Sequence, residues 1–138
     1  MTAKKKRKKP KFNQNSAVRS SIRRVFSRSP HVIDTLKKAR RERPWHRQDG
    51  TVAKRPRVEY ICSNCNEWFM GKDVQVDHTI PVIDPVKGFE TWDTFVDRVF
   101  CAIENLTVLC KPCHKIKTDE EKAIRAIHRK KAKLALKE

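Results

Sequence analysis

Four of the five cysteines fall into two Cys-x-x-Cys pairs, Cys62/Cys65 and Cys110/Cys113. Each pair presents two thiols at the spacing of a zinc knuckle, and four thiolates make a closed tetrahedral site. Unliganded surface pairs and redox pairs are the alternatives. A chain with no export signal and an odd cysteine count favours metal over disulfides. The fifth, Cys101, reads as a buried, apolar-like thiol. Residues 66–109 separate the knuckles, more than a simple zinc ribbon would place there, so a folded insert is expected between them. His114 follows Cys113 directly; if zinc already holds four sulfurs, this histidine is free to serve a second site.

The insert offers Asp77-His78 in VQVDHTIPVI, where an alternating strand gives way to Pro81. A carboxylate can hold a hard divalent cation, and a neutral imidazole beside it can take a proton from water. The dipeptide alone is weak, and a hydrogen-bonded loop histidine is the bland reading of His78. Asn105, in ENL before the second knuckle, and His114 after it supply further polar groups.

The order C-x-x-C … DH-x-x-P … ENL-x-x-LC-x-x-CH-x-x-KT, over about residues 58–122, resembles the HNH endonuclease family, in particular its zinc-stapled members of phage and bacterial type. The resemblance implies a small ββα-metal domain carrying a structural zinc held by four cysteines. It assigns His78 as the general base, and Asp77 and His114 as ligands of a catalytic Mg²⁺ or Mn²⁺. Asn105 would orient the loop and the base, and Lys117 would contact phosphate. The implied activity is hydrolysis of DNA phosphodiester bonds, by nicking or double-strand cutting, leaving 5′-phosphate and 3′-hydroxyl ends.

These residues need elements to carry them. VEYICSNCNEWFM and DVQVDH read as strands joined in a hairpin at Gly71-Lys72. TWDTFVDRVF places Trp92, Phe95, Val96, Val99 and Phe100 at helical spacing, a core stripe packing over that hairpin. Thr118 and Glu121 form a capping box, predicting a final helix from there with Ala123, Ile124 and Ile127 inward. Upstream, a helix is predicted over about Ser16–Arg28. A second follows the Ser29-Pro30 start signal and runs to about Arg43. The organisation expected is α+β: a basic tail without order (1–14), a basic helical hairpin (15–43), a linker (44–57) and the nuclease domain with its C-terminal helix (58–138). His31, His46 and His128 read as surface residues.

Charge divides the chain the same way. Residues 1–57 hold 20 Lys and Arg against 3 Asp and Glu, which accounts for the whole net charge of +17, while residues 58–138 hold 13 of each. An excess of that size favours a polyanion. Lys4, Lys5, Lys6, Arg7, Lys8, Lys9, Arg19, Arg23, Arg24 and Arg28 are the candidate DNA-backbone contacts, acting largely without regard to sequence. No apolar run suits a membrane span and no secretory signal is evident. A cytoplasmic location in a bacterial or phage-infected cell is expected, although KKKRKK also resembles a nuclear-import signal. A homodimer or a phage or host protein is a candidate partner, and dimerisation would decide between nicking and double-strand cutting. The competing readings are a non-catalytic zinc-ribbon nucleic-acid binder and an RNA-associated protein.

Overall fold

The computed structural model describes residues 9–137, an α+β arrangement of four helices and two small sheets. Helix α1 (Gln14–Phe26) starts where the Asn13 side chain accepts a hydrogen bond from Ser16 N at 3.0 Å. Helix α2 (Pro30–Ala39) starts at Ser29, whose hydroxyl faces Val32 N, with Pro30 in the first turn. Proline suits that position because its missing N–H would have no helical partner.

The second helix does not reach Arg43. Arg40–Arg43 is a strand, β1, antiparallel to β2 (Arg57–Ile61), which in turn pairs with β3 (Trp68–Met70). RRER has no apolar alternation, so its strand character comes from its partner. Arg41 and Arg43, on one face, meet the buried Glu59 carboxylate at 2.8 and 3.2 Å. Arg41 also stacks 3.8 Å from the Trp68 ring centroid. Of the expected linker 44–57, Arg57 belongs to β2 and residues 44–56 are an ordered loop turning at Gly50 (φ +82°). His46 bridges to Val52, and the Trp45 indole donates to Arg55 O.

Gly71-Lys72 is also not a hairpin turn. Residues Gly71–Asp73 form a single 3₁₀ turn that carries the chain from the first sheet into the second. There β4 (Val74–His78) pairs antiparallel with β5 (Leu106–Cys110), placing Val76 opposite Val108 and His78 opposite Leu106. The insert between β4 and β5 carries α3 (Trp92–Val99), capped by Thr91. Helix α4 (Lys111–Ala135) follows β5 at once. It starts seven residues before Thr118, because Cys110 and Pro112 already provide the helix entry.

Two apolar clusters lie along the β4–β5 ribbon. One joins Phe26 of α1, Val32 of α2, Phe95 and Val99 of α3, Val82 and Leu106, with Cys101 packed against it. The helical hairpin is therefore part of the domain core rather than a separate arm. The other cluster is Cys62, Leu109 and Cys110, covered by Phe69 and Cys113. From α3, Phe95 and Val99 fill the core, whereas Trp92, Val96 and Phe100 are partly exposed. Ala123, Ile124 and Ile127 of α4 face outward; its half-buried face carries His114, Lys117, Thr118, Glu121, Arg125 and His128. Among the described residues no helix is long and apolar enough to cross a membrane.

Candidate metal centre and the polar cleft beside it

Cys62 directly follows β2, and Cys65 lies in the tight turn that returns the chain to β3. That turn closes with Asn66 N donating to Cys62 O and Cys62 N donating to Glu67 O, both at 2.9 Å. Asn66 takes a positive φ of 58°, which asparagine tolerates better than most residues. Cys110 closes β5 and Cys113 lies in the first turn of α4; the two sheets meet here, where Ser63 N donates to Val108 O at 2.9 Å, and the knuckles come together. The four sulfurs lie within 4.8 Å of one another, positioned to hold one metal ion. The Cys65–Cys110 separation is 4.0 Å, against about 3.8 Å for sulfurs 2.3 Å from a tetrahedral zinc. The residues fit a structural zinc.

The thiols are not equivalent. Burial disfavours ionisation of Cys62, but N–H groups of Cys65, Cys110 and Asn64 donate to it and bring it down to about 6. Burial pushes Cys110 up to about 12. The Asn64 amide also donates to Cys113 Sγ at 3.3 Å. A cation is what allows four thiolates to share so small a space.

A second polar group lies at the other end of β4. Asp77 and His78 are its last residues, and α4 brings His114 Nε2 to 3.9 Å from Asp77 Oδ1. Two ligands of one cation, each at about 2.0–2.2 Å, can stand up to roughly 4.2 Å apart when trans, so only a small adjustment would let both bind. Lys117, one turn further along α4, donates to Asp77 Oδ2 at 2.6 Å and to the His78 carbonyl. Its ammonium holds the carboxylate and leaves Oδ1 turned toward His114.

His78 is oriented by the helices that precede and follow it. Its Nε2 lies 2.8 Å from the Val99 carbonyl, and its ring centroid is 5.0 Å from that of Phe26. A carbonyl can only accept, so Nε2 carries the proton in the neutral ring and Nδ1 keeps its lone pair. Asn105 acts on the backbone just beyond. Its Oδ1 accepts from Ile80 N at 3.0 Å, and its carbonyl accepts from Thr79 N at 2.8 Å. These bonds fix the chain as it leaves β4.

Asp77, His78, His114 and Lys117 border a cavity of about 550 Å³. No family model, curated protein or solved structure matches this chain. Function has to be read from the site itself.

The candidate DNA contacts separate into groups. Lys4, Lys5, Lys6, Arg7 and Lys8 lie outside the described residues, and Lys9 is exposed ahead of α1. Arg23 lines the cavity at Asp77 and His78 and, with Arg19, a second one that adjoins it between α1 and α4; the two guanidinium groups are held over the Phe95 and Phe89 rings at 5.6 and 5.4 Å. Arg24 and Arg28 are exposed and line neither of the two cavities along α1 and α4. Partial desolvation, then the charges of Arg19 and Arg125, lower Arg23 from its ordinary value, with Asp77 and Glu121 acting the other way. Glu121 and Arg125 were missed as site residues by sequence reasoning. Their signal is the spacing His114, Lys117, Thr118, Glu121, Arg125, one face of a helix once that helix is begun at Lys111.

Proposed function

We propose that this protein is a metal-dependent endonuclease of the HNH type that hydrolyses DNA phosphodiester bonds. The observation that carries the reading is the convergence of Asp77 Oδ1 and His114 Nε2, 3.9 Å apart, beside a histidine whose Nε2 is engaged by a carbonyl. The sequential arrangement of β4, β5 and α4, with a four-cysteine metal site at the opposite end of the ribbon, supports it further.

Asp77 and His114 would hold a Mg²⁺- or Mn²⁺-like cation, which when bound neutralises the scissile phosphate and the leaving oxygen. His78 Nδ1 takes a proton from water as its oxygen attacks phosphorus in line. The new P–O bond forms as the P–O3′ bond breaks, and the 3′ oxygen takes a proton from solvent. The ends left are a 5′-phosphate and a 3′-hydroxyl. The Val99 carbonyl keeps the imidazole in the tautomer that can accept, and Asn105 holds the loop behind it. Lys117 leaves the DNA-contact role expected for it and becomes a positioning group that fixes the Asp77 carboxylate.

The Lys117–Asp77 ion pair also suits a non-catalytic zinc module, in which lysine alone neutralises the carboxylate. Plasmid cleavage at low salt separates the two. Zinc-loaded protein is incubated with Mg²⁺ or Mn²⁺ and without either, beside His78→Ala and Asp77→Asn variants whose melting is checked. Cation-dependent nicking or linearisation that falls about 10²–10⁴-fold in His78→Ala is the expected result. Binding without cutting under either cation would establish the module instead, and equal cutting by wild type and His78→Ala would remove His78 as the base.

A further inference from the structure

The cavity at Asp77 and His78 does not end there. A second cavity of about 600 Å³ adjoins it, sharing Arg23, Ile83 and Arg125 as lining residues. Together they form one cleft running between α1 and α4. Its walls carry Arg19, Arg23, Lys87, Lys117, Arg125 and Arg129, and its carboxylates are Asp77 and Glu121. Lys117 and Arg125 use those two carboxylates, and among the described residues Arg19, Arg23, Lys87 and Arg129 have no ion-pair partner. The Arg125 guanidinium donates from Nη2 to Glu121 at 3.3 Å. Its Nε–H is buried and has no acceptor among the described residues.

We infer that the outer half of this cleft, bounded by Arg19, Arg23, Arg125 and Arg129, is a subsite for the phosphates of a nucleic-acid strand flanking the one that would be cut. The inference rests on the cleavage reading for the place of the scissile phosphate, though not for the presence of the strand. Helical rise puts Arg129 about 22 Å along the α4 axis from His114, too far to touch a phosphate held by Asp77 and His114, and Arg125, which lines both cavities, lies between. Guanidinium groups are suited to phosphate oxygens because their N–H donors form a fixed fork. The 85–89 segment adds Pro85, Val86 and Phe89 beside Lys87, apolar surface that suits a sugar or base next to the cations. The helical hairpin thus contributes a directed groove, and only part of its positive charge is diffuse. A compact polyphosphate would satisfy one pair of arginines, whereas the length of the cleft favours a chain of phosphates.

The test is equilibrium binding of a fluorescent 12-nucleotide strand, followed by anisotropy between 50 and 200 mM salt. Zinc-loaded full-length protein is used with no other divalent cation, so that nothing is cut. Arg19→Gln/Arg129→Gln removes two cleft charges away from Asp77, His78 and His114. Lys130→Gln/Lys131→Gln removes the same charge from α4 outside the cleft. The cleft pair is expected to weaken binding at least tenfold and to reduce the salt slope by about 1.4, as for two lost phosphate contacts on a single strand. The control pair is expected to change affinity less than threefold. Equal weakening by both pairs, or an unchanged cleft variant, would overturn the inference. Arg129→Gln alone, with an intermediate loss and an unchanged melting temperature, guards against misfolding. Cleft-dependent binding by a protein that never cuts plasmid would sink the nuclease reading and leave the subsite standing. Cutting by a protein whose binding ignores the cleft would do the reverse.

Discussion

The two ends of the β4–β5 ribbon are held by different physics. At the Cys110 end, the buried neighbours are Cys62, Leu109 and Cys110, with Phe69 and Cys113 over them. That is little apolar area to order two sheets, and a metal held by the four sulfurs would supply what packing does not. At the His78 end, Phe26, Val32, Val82, Phe95, Val99 and Leu106 form an ordinary core drawn from three helices. The consequence concerns chemistry. The four-cysteine end would be tied by local ligand geometry once a metal is bound, while the polar site is only as well placed as the helices that pack on it. Phe26 and Val99 both reach His78, one by ring contact and one by its carbonyl.

The largest effect should come from the metal end. Replacing Cys110 and Cys113 by serine removes two ligands, and zinc binding coupled to folding is on the order of 10 kcal/mol. Metal content should fall from one zinc per chain to nearly none, with loss of the cooperative melting transition. A variant that keeps the wild-type melting temperature without zinc would show that packing suffices there.

Phe26→Ala tests the other end. The ring is 6% exposed and belongs to the main core, so its removal should cost about 3–5 kcal/mol in a denaturant titration. Deleting residues 1–57 should therefore unfold the domain rather than leave a weakly binding nuclease, since it also removes β1 and Val32. A soluble 58–138 fragment with a sharp melting transition would restore the two-part view of the chain.

A smaller effect belongs to Glu59, which links β1 to β2. The Arg41 hydrogen bond holds its carboxyl below the ordinary value, against the effect of burial and with help from the Arg43 charge. A lowered folded value means the contribution is complete above the unfolded carboxyl's pKa and fades as pH falls through the folded one. The melting-temperature gap between wild type and Glu59→Gln should be widest near neutrality and close below about pH 4. A gap that is the same at every pH would place the effect in packing instead of charge.

What could be read before folding differs between regions for a physical reason. The Cys-x-x-Cys spacing is itself a local geometry, so Cys62, Cys65, Cys110 and Cys113 were legible as one metal site. The start of α2 was legible because Ser29 and Pro30 act on backbone groups close by; α1 was placed two residues late, since its Asn13 cap lies in the stretch read as tail. β1 was not, because RRER becomes a strand only through Glu59 and Trp68, residues distant in sequence. The start of α4 was obscured by its own knuckle: Thr118 and Glu121 resemble a cap, but they lie inside a helix already begun at Lys111. The Gly71-Lys72 hairpin failed because pairing is decided by the best partner strand, and β4 finds that in β5, 28 residues beyond its end by the Cα register His78↔Leu106.

Residue types and short spacings alone determined the donor chemistry: four thiols at knuckle spacing, a carboxylate beside a histidine, and an excess of cationic side chains. Those properties belong to side chains and to backbone within a turn or two. Only the tertiary structure decided that Lys117 reaches Asp77, that Val99 O meets His78, and that Arg23 of α1 faces Arg125 of α4 across a cleft. Such contacts join segments far apart along the chain and depend on which apolar faces bury one another, a choice no local pattern encodes.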